Sequence, residues 1–278
     1  MKYLFYMSNQ TKYITSEIKL STYTEKMNRT EVLFDEHILV WIISGETKIV
    51  FANSKNIYLP GDVILIPRNQ LISVGLYPKD GLPHQSVAMH LSTSRLKQFY
   101  SQIEANYGKV STEIPSYKNH PLLESFKASL LPYFNMEDQF PDNIASLKIT
   151  EAISILRVID NSIDAHLANF EQPGKIDLAT YMEKHYTFNV PIEKFGYMTG
   201  RSLTTFKRDF KKIFNSTPQK WLTQKRLELA HYQFTEEKKT PVEVYFEVGF
   251  ENLSHFSYAF KKQFGYPPSH LLDQRRNH

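Results

Sequence analysis

The chain contains no cysteine. That excludes disulfide staples, thiolate zinc sites and thiol redox sensing together, and it fits a reducing, cytoplasmic setting. No run approaches the ~18 apolar residues that a membrane-crossing helix needs. The opening stretch, MKYLFYMSNQTKYITSE, has no long apolar core and no small-residue cleavage site, so it reads without a signal peptide. No Gly-rich phosphate loop and no nucleophile elbow occurs, and enzyme motifs are absent. His37, His84 and His90 lack the spacing of a metal-ligand set, and the residues after Pro67, RNQLIS, add no histidine. They read as satisfied or surface histidines, with no metal and no cofactor.

What is present is a chain of 278 residues, 41% hydrophobic and 14% aromatic, long enough for two domains with real cores. Its net charge of +4 is unevenly spread. Residues 174–278 carry +6, while the remainder carries −2. A basic C-terminal third behind a slightly acidic front is the footprint of a nucleic-acid-binding domain attached to something else, although an ordinary solvated surface gives the same count.

From about Ile18 to Ser92 the sequence is strand-like. VLFDEHILVWIIS and ETKIVFA are rich in β-branched and aromatic residues and are separated by a Ser44-Gly45 turn. Pro60-Gly61-Asp62 and Pro67-Arg68-Asn69 break the following strands, and SVAMHLS closes the series. Short strands at this spacing predict a small barrel or sandwich. Trp41, Phe51 and Tyr58 are candidate walls of a ligand pocket in it, or ordinary sheet core.

From Ser94 the period becomes helical. SRLKQFYSQIEANYG predicts a helix ending at Gly108. HPLLESFKASLLPYF places Leu122, Leu123, Phe126 and Leu130 on one face. ASLKITEAISILRVIDNSI places Leu147, Ala152, Ile155, Leu156 and Ile159 on another. Such helices either join subunits in a homodimer or pack on their own sheet. Pro173-Gly174 reads as a hinge, giving expected boundaries of 1–93, 94–170 and 174–278. The fold class is α+β multidomain, with an N-terminal barrel, a helical linker and an all-α C-terminal domain.

The C-terminal domain repeats itself. SLTTFKRDFKKIFNSTP from Ser202 and NLSHFSYAFKKQFGYPP from Asn252 match at a shift of fifty residues. Leu203, Phe206, Phe210 and Phe214 align with Leu253, Phe256, Phe260 and Phe264. Lys211-Lys212 align with Lys261-Lys262. Upstream the shift is forty-nine, Gly200 matching Gly249, so the second turn is one residue longer. Each copy reads as helix, Gly-containing turn, helix, which is a helix-turn-helix whose second helix enters the major groove. Ser202 and Asn252 are the expected N-caps of the second helices, and Thr217 that of the connecting helix. The aromatic stripe is core. The opposite face of the first copy offers Thr204, Thr205, Lys207 and Arg208 to base edges, and that of the second offers Ser254, His255, Ser257 and Tyr258. Arg201, Lys211, Lys212, Lys261 and Lys262 are expected at phosphates. The second face is less basic and is expected to read fewer bases.

RSLTTFKRDFKKIF, TPQKWLTQKRLELA, VGF, FKKQFG and PPS together resemble the DNA-binding domain of the AraC/XylS transcriptional regulators over about Ile176 to Asp273. YMEKHY and LTTFK also resemble the subgroup that activates type III secretion genes, but strings this short assign no target. VWIISGETKIVF, YLPGDVILIP and SVAMHLS resemble the cupin-like sensor domains that precede this motif in many members. The resemblance implies a cytoplasmic activator. Two recognition helices, joined by a rigid helix containing Trp221 and Leu222, read double-stranded promoter DNA. RNA polymerase is an implied partner, and a small-molecule effector or a regulatory protein acts on the front domain. Tyr245 stands where the family has a small residue, and Tyr258 where many members have Arg. Competing readings are a cupin-type enzyme or small-molecule binding protein with an accessory helical domain, and a non-specific or RNA-binding module.

Overall fold

The computed structural model describes residues 9–51, 54–105, 113–135 and 142–270. The chain divides into two compact units, Met1–Glu171 and Gln172–His278. The first unit holds β1 (Asn9–Thr15), β2 (Ile18–Tyr23), β3 (Met27–Phe34), β4 (His37–Ser44), β5 (Glu46–Phe51), β6 (Ser54–Tyr58), β7 (Val63–Ile66), β8 (Gln70–Tyr77), β9 (His84–Leu91) and β10 (Ser116–Tyr117). Its helices are α1 (Thr93–Tyr100), α2 (Pro121–Leu130), α3 (Asp142–Ile159) and α4 (Asp164–Leu167), with a 3₁₀ turn over Leu131–Asn135.

The strands form two antiparallel sheets. One runs in the order β1-β2-β9-β4-β7-β10, the other β3-β8-β5-β6. Among the described residues each sheet keeps two edge strands, so they do not close into the expected barrel. The period-2 alternation of side chains explains how the larger sheet is covered. Leu39, Trp41, Val63, Leu65, Val87 and Met89 point to a core shared with Leu96, Phe126, Leu130, Ile149 and Leu156 from the helices. Ile38, Ile42, Ile64 and Ile66 point the other way, into a core shared with Ile49, Tyr58 and Ile72. β7 is buried on both faces and therefore reads VILI without a polar residue. The unit is thus helices on sheet on sheet, and Trp41 stacks on Phe126 at 5.3 Å.

Local chemistry sets the turns. At Gly45 φ is +80°, and a Cβ would stand 2.7 Å from both the His84 Cα and the Tyr77 carbonyl, so the β4–β5 turn requires glycine. At Pro60-Gly61-Asp62 the Asp62 carboxylate accepts from the Leu59 amide at 2.8 Å and lies 3.1 Å from Lys118 Nζ. Ser92 caps α1 by accepting from the Arg95 amide, and Pro121 opens α2.

Several expectations are corrected. β1 precedes the anticipated first strand. α1 stops at Tyr100, and the expected C-cap Gly108 lies outside the described residues. On α2, Leu123, Phe126 and Leu130 are buried but Leu122 is exposed. On α3 the buried stripe is Ala145, Ile149, Ala152, Ile153 and Leu156, at i, i+4, i+7, i+8 and i+11. Leu147 lies about 200° around the helix from Ala145 and is 67% exposed.

Two buried histidines sit at strand starts. His84 faces Thr47 with Nε2 2.7 Å from its hydroxyl, and His37 Nδ1 accepts from the Arg68 amide at 3.2 Å. Burial holds the His84 imidazole down at about 4. Burial, with Arg68 and His166 adding to it, holds His37 down at about 3. Both are neutral in the folded chain, so between pH 6.5 and 4 the unfolded chain binds protons that the folded one refuses. Stability should therefore fall as pH drops from about 6.5 toward 4, by about 2–3 kcal/mol per histidine at most. His84→Gln should flatten that slope in urea unfolding titrated against pH. Phe126→Ala should cost about 3–5 kcal/mol in the same assay at neutral pH.

Candidate nucleic-acid interface

The second unit is helical among its described residues: α5 (Leu178–His185), α6 (Ile192–Met198), α7 (Leu203–Phe214), α8 (Pro218–Thr235), α9 (Pro241–Glu247) and α10 (Leu253–Phe264). The starts are chemically marked. Side chains of Asp177, Ser202, Thr217 and Asn252 accept the N3 amides of α5, α7, α8 and α10. At α9, Glu243 reaches back to the Thr240 amide and hydroxyl, each at 2.7 Å.

The two repeats use one packing scheme. Phe206 and Phe210 of α7 and Phe256 and Phe260 of α10 are fully buried. Phe210 and Phe214 meet Trp221 near the start of α8, at 5.6 and 4.7 Å. Phe256 and Phe260 meet Phe234 near its end, at 6.1 and 5.4 Å. α8 is therefore the strut between the repeats. At its middle Arg226, 7% exposed, donates to the carbonyls of Tyr186 (2.8 Å), Phe188 (2.9 Å) and Gly249 (2.9 Å). That single side chain ties the end of α5 and the turn of the second repeat to the strut.

The turns differ as expected. Four residues separate α6 from α7 and five separate α9 from α10. Gly200 has φ +64° and its missing Cβ would meet the Gly174 carbonyl at 2.5 Å. Gly249 has φ +94° and a Cβ would meet the Thr187 carbonyl at 2.4 Å. The added residue lets Phe250 turn into the core, 5.2 Å from the Phe256 ring. Tyr245, the counterpart of Gly196, lies half-buried at the edge of that core.

Buried stripes fix which residues face out. On α7, Thr204, Lys207, Arg208, Lys211 and Lys212 are exposed, while Thr205 is half-buried and its hydroxyl lies 3.0 Å from that of Ser202. On α10, Ser254, His255, Lys261 and Lys262 are exposed, Ser257 is half-buried, and Tyr258 is 69% exposed. Arg201 is not on this face. Its guanidinium is buried, donating to the carbonyls of Thr199 (2.7 Å) and Ile176 (2.9 Å) and pairing with Asp209 at 3.2 Å. The side chain expected at a phosphate is thus engaged by turn carbonyls and Asp209 in this structure.

In the first unit the candidate pocket residues are not brought together. Trp41 faces the helices, whereas Phe51 and Tyr58 face the sheet-to-sheet core. A cavity of about 440 Å³ is lined by other residues, among them Ser154, Arg157, Asp160 and Asp164. Among the described residues no cluster of three or more His, Asp or Glu could hold a metal. His90 lies 3.7 Å from Glu36. No helix among the described residues is long and apolar enough to cross a membrane. Sequence reasoning missed Arg226 and Asp209. The signal available was a charge amid apolar positions of α8 and a lone acid in a basic helix.

Residues 197–274 match the family described as a helix-turn-helix domain, and residues 37–169 match the ExsA N-terminal regulatory domain. Together these two matches align the chain with the AraC/XylS transcriptional regulators. Among AraC/XylS relatives, it is similar to the virulence regulon transcriptional activator VirF of Yersinia enterocolitica, with 28% identity over 154 residues, 54% of this chain and 55% of that protein. The chain thus spans about half the length of VirF. It is 24% identical to the HTH-type transcriptional regulator ExsA of Pseudomonas aeruginosa over 267 residues, 93% of this chain and 92% of that one. A crystal structure of an apo ToxT variant from Vibrio cholerae matches 92% of this chain and 96% of that one, at 12% identity and a TM-score of 0.45.

Arg226→Met should leave three buried carbonyls unpaired, at about 1–3 kcal/mol for each orphaned group. The expected loss is at least about 3 kcal/mol in total, seen as earlier thermal unfolding reported by Trp221 fluorescence in a Trp41→Phe background.

Proposed function

We propose that the chain is a sequence-specific DNA-binding transcriptional regulator, and an activator. The observation that carries this is the exposed face of α7. A fully buried Phe206–Phe210 face fixes the helix, and Thr204, Lys207 and Arg208 project from the opposite side with Lys211 and Lys212 behind them. Arg and Lys there suit guanine O6 and N7, and a Thr methyl suits the thymine methyl. The two lysines suit phosphates. On α10, Ser254, His255, Ser257 and Tyr258 form a weaker reading face with Lys261 and Lys262 as backbone grip. The name of VirF, a transcriptional activator, supports the sign of regulation.

The assigned domains are a sensor over 1–93, linking helices over 94–170 and a DNA-binding domain over 174–278. The sheet unit, whose YLPGDVILIP stretch resembles cupin-like sensor domains, acts as the regulatory element, taking a small-molecule effector or a regulatory protein. The chain works as a cytoplasmic homodimer on promoter DNA and engages RNA polymerase.

Fluorescence anisotropy against the chain's own upstream DNA and a random duplex at physiological salt tests the proposal, and equal affinity would sink it. Lys207→Ala and Arg208→Ala should each cost about 1–3 kcal/mol of sequence discrimination. Lys211→Ala or Lys261→Ala should weaken all duplexes alike and lower the salt slope by about 1.

A further inference from the structure

Asp209 is the one acid on the recognition helix of the first repeat, and its two oxygens are used differently. Oδ2 accepts from the buried Arg201 guanidinium at 3.2 Å. Oδ1 lies 3.4 Å from both Nε and an Nη of Arg208, which is exposed. Arg201 is held in turn by the Thr199 and Ile176 carbonyls. The chain from turn backbone to Arg201 to Asp209 to Arg208 is therefore continuous, rigid at one end and solvent-facing at the other.

The second repeat serves as an internal comparison. Arg208 aligns with Tyr258 and Asp209 with Ala259. Arg201 aligns with Glu251 counted from the N-cap, or with Phe250 counted from the turn glycine. All three members are replaced, while the buried phenylalanines and the dibasic pair are kept. In the second repeat Phe250 plugs the turn instead, so the turn itself can be closed without a charge, and only the polar solution brings an acid up to the residue at position 208. α10 is built without the polar clamp, so its presence in α7 goes with Arg208.

We propose that Asp209 is a positioning and specificity-determining residue, holding Arg208 so that its fork is released only to a matching base. This rests on the reading of Arg208 as a base contact. An arginine anchored to a carboxylate loses part of its attraction for any phosphate, and regains a full partner only where a guanine offers two acceptors. Asp209 thereby lowers affinity for random duplex more than for the cognate site. The Arg201 guanidinium first, then Arg208 and Lys175, holds the Asp209 carboxyl below the usual carboxylate range, so it stays ionised.

The test is a double-mutant cycle in the full-length chain, binding cognate and random duplexes across a salt series. Asp209→Asn should tighten random-duplex binding about 2–5-fold and steepen its salt slope by about 1. It should lower the cognate-to-random ratio at least about threefold. In an Arg208→Ala background the same change should cause no further loss of ratio. Asp209→Asn weakening both duplexes equally, or acting undiminished in the Arg208→Ala background, would overturn the proposal and leave Asp209 a structural clamp. Arg208→Ala that leaves the ratio unchanged overturns the base reading itself, whatever Asp209 does. Thermal melts accompany each titration, and if Asp209→Asn unfolds, Asp209→Ser runs the same cycle with the same criteria.

Discussion

The geometry of the second unit depends on Arg226. A buried guanidinium is costly to desolvate and is tolerated only when its donors are satisfied. Here the acceptors are carbonyls at or just beyond the ends of α5 and α9, where the helix dipole is negative. The arrangement is self-consistent: the charge needs the carbonyls, and the carbonyls have exhausted their helical partners. Because Arg226 sits between the Trp221 and Phe234 contacts of α8, it holds the second turn to the strut that also carries the first recognition helix. Gly249 is part of the same constraint, since its missing side chain leaves room for the Thr187 carbonyl and the Arg226 guanidinium.

The repeats share a scaffold but do not present equal outward faces. Phe206, Phe210 and Phe214 recur as Phe256, Phe260 and Phe264, and both sets close on α8. The turns diverge in length and in what they bury, Arg201 in one and Phe250 in the other. The polar clamp keeps an acid on α7 that touches a solvent-facing arginine, whereas the apolar plug leaves α10 with no such link. The difference in turn chemistry therefore reaches the outward face of one helix only.

Much of this was legible in the sequence. The fifty-residue repeat, the caps Ser202, Thr217 and Asn252 and the extra turn residue are local signals, and local hydrogen bonding decides them. The strand character of β4 and β7 was equally visible, because β-branched and aromatic runs bounded by turn residues favour extended backbone. What escaped depends on distant partners. Whether strands close into a barrel is set by edge pairing, which no single strand encodes. Leu122 and Leu147 satisfy a hydrophobic pattern but lie off the arc that meets the sheet. Arg201 looks like its basic neighbours until the Ile176 carbonyl, twenty-five residues earlier, is placed beside it. Trp41 has the composition of a pocket wall, yet its odd position on β4 sends it toward Phe126.

The separation of buried from exposed positions on α7 and α10 has an evolutionary consequence. Residues that hold the helices are phenylalanines facing α8, and the exposed residues lie on the far side. Changes at Ser254 or Tyr258 are close to neutral for stability, so under the proposed function target preference in the second repeat can drift without passing through unfolded intermediates. The first repeat has less of that freedom, because Asp209 and Arg201 couple its outward face to its turn. The two halves of one duplicated motif are therefore expected to diverge at different rates, the second being the quicker to acquire a new target.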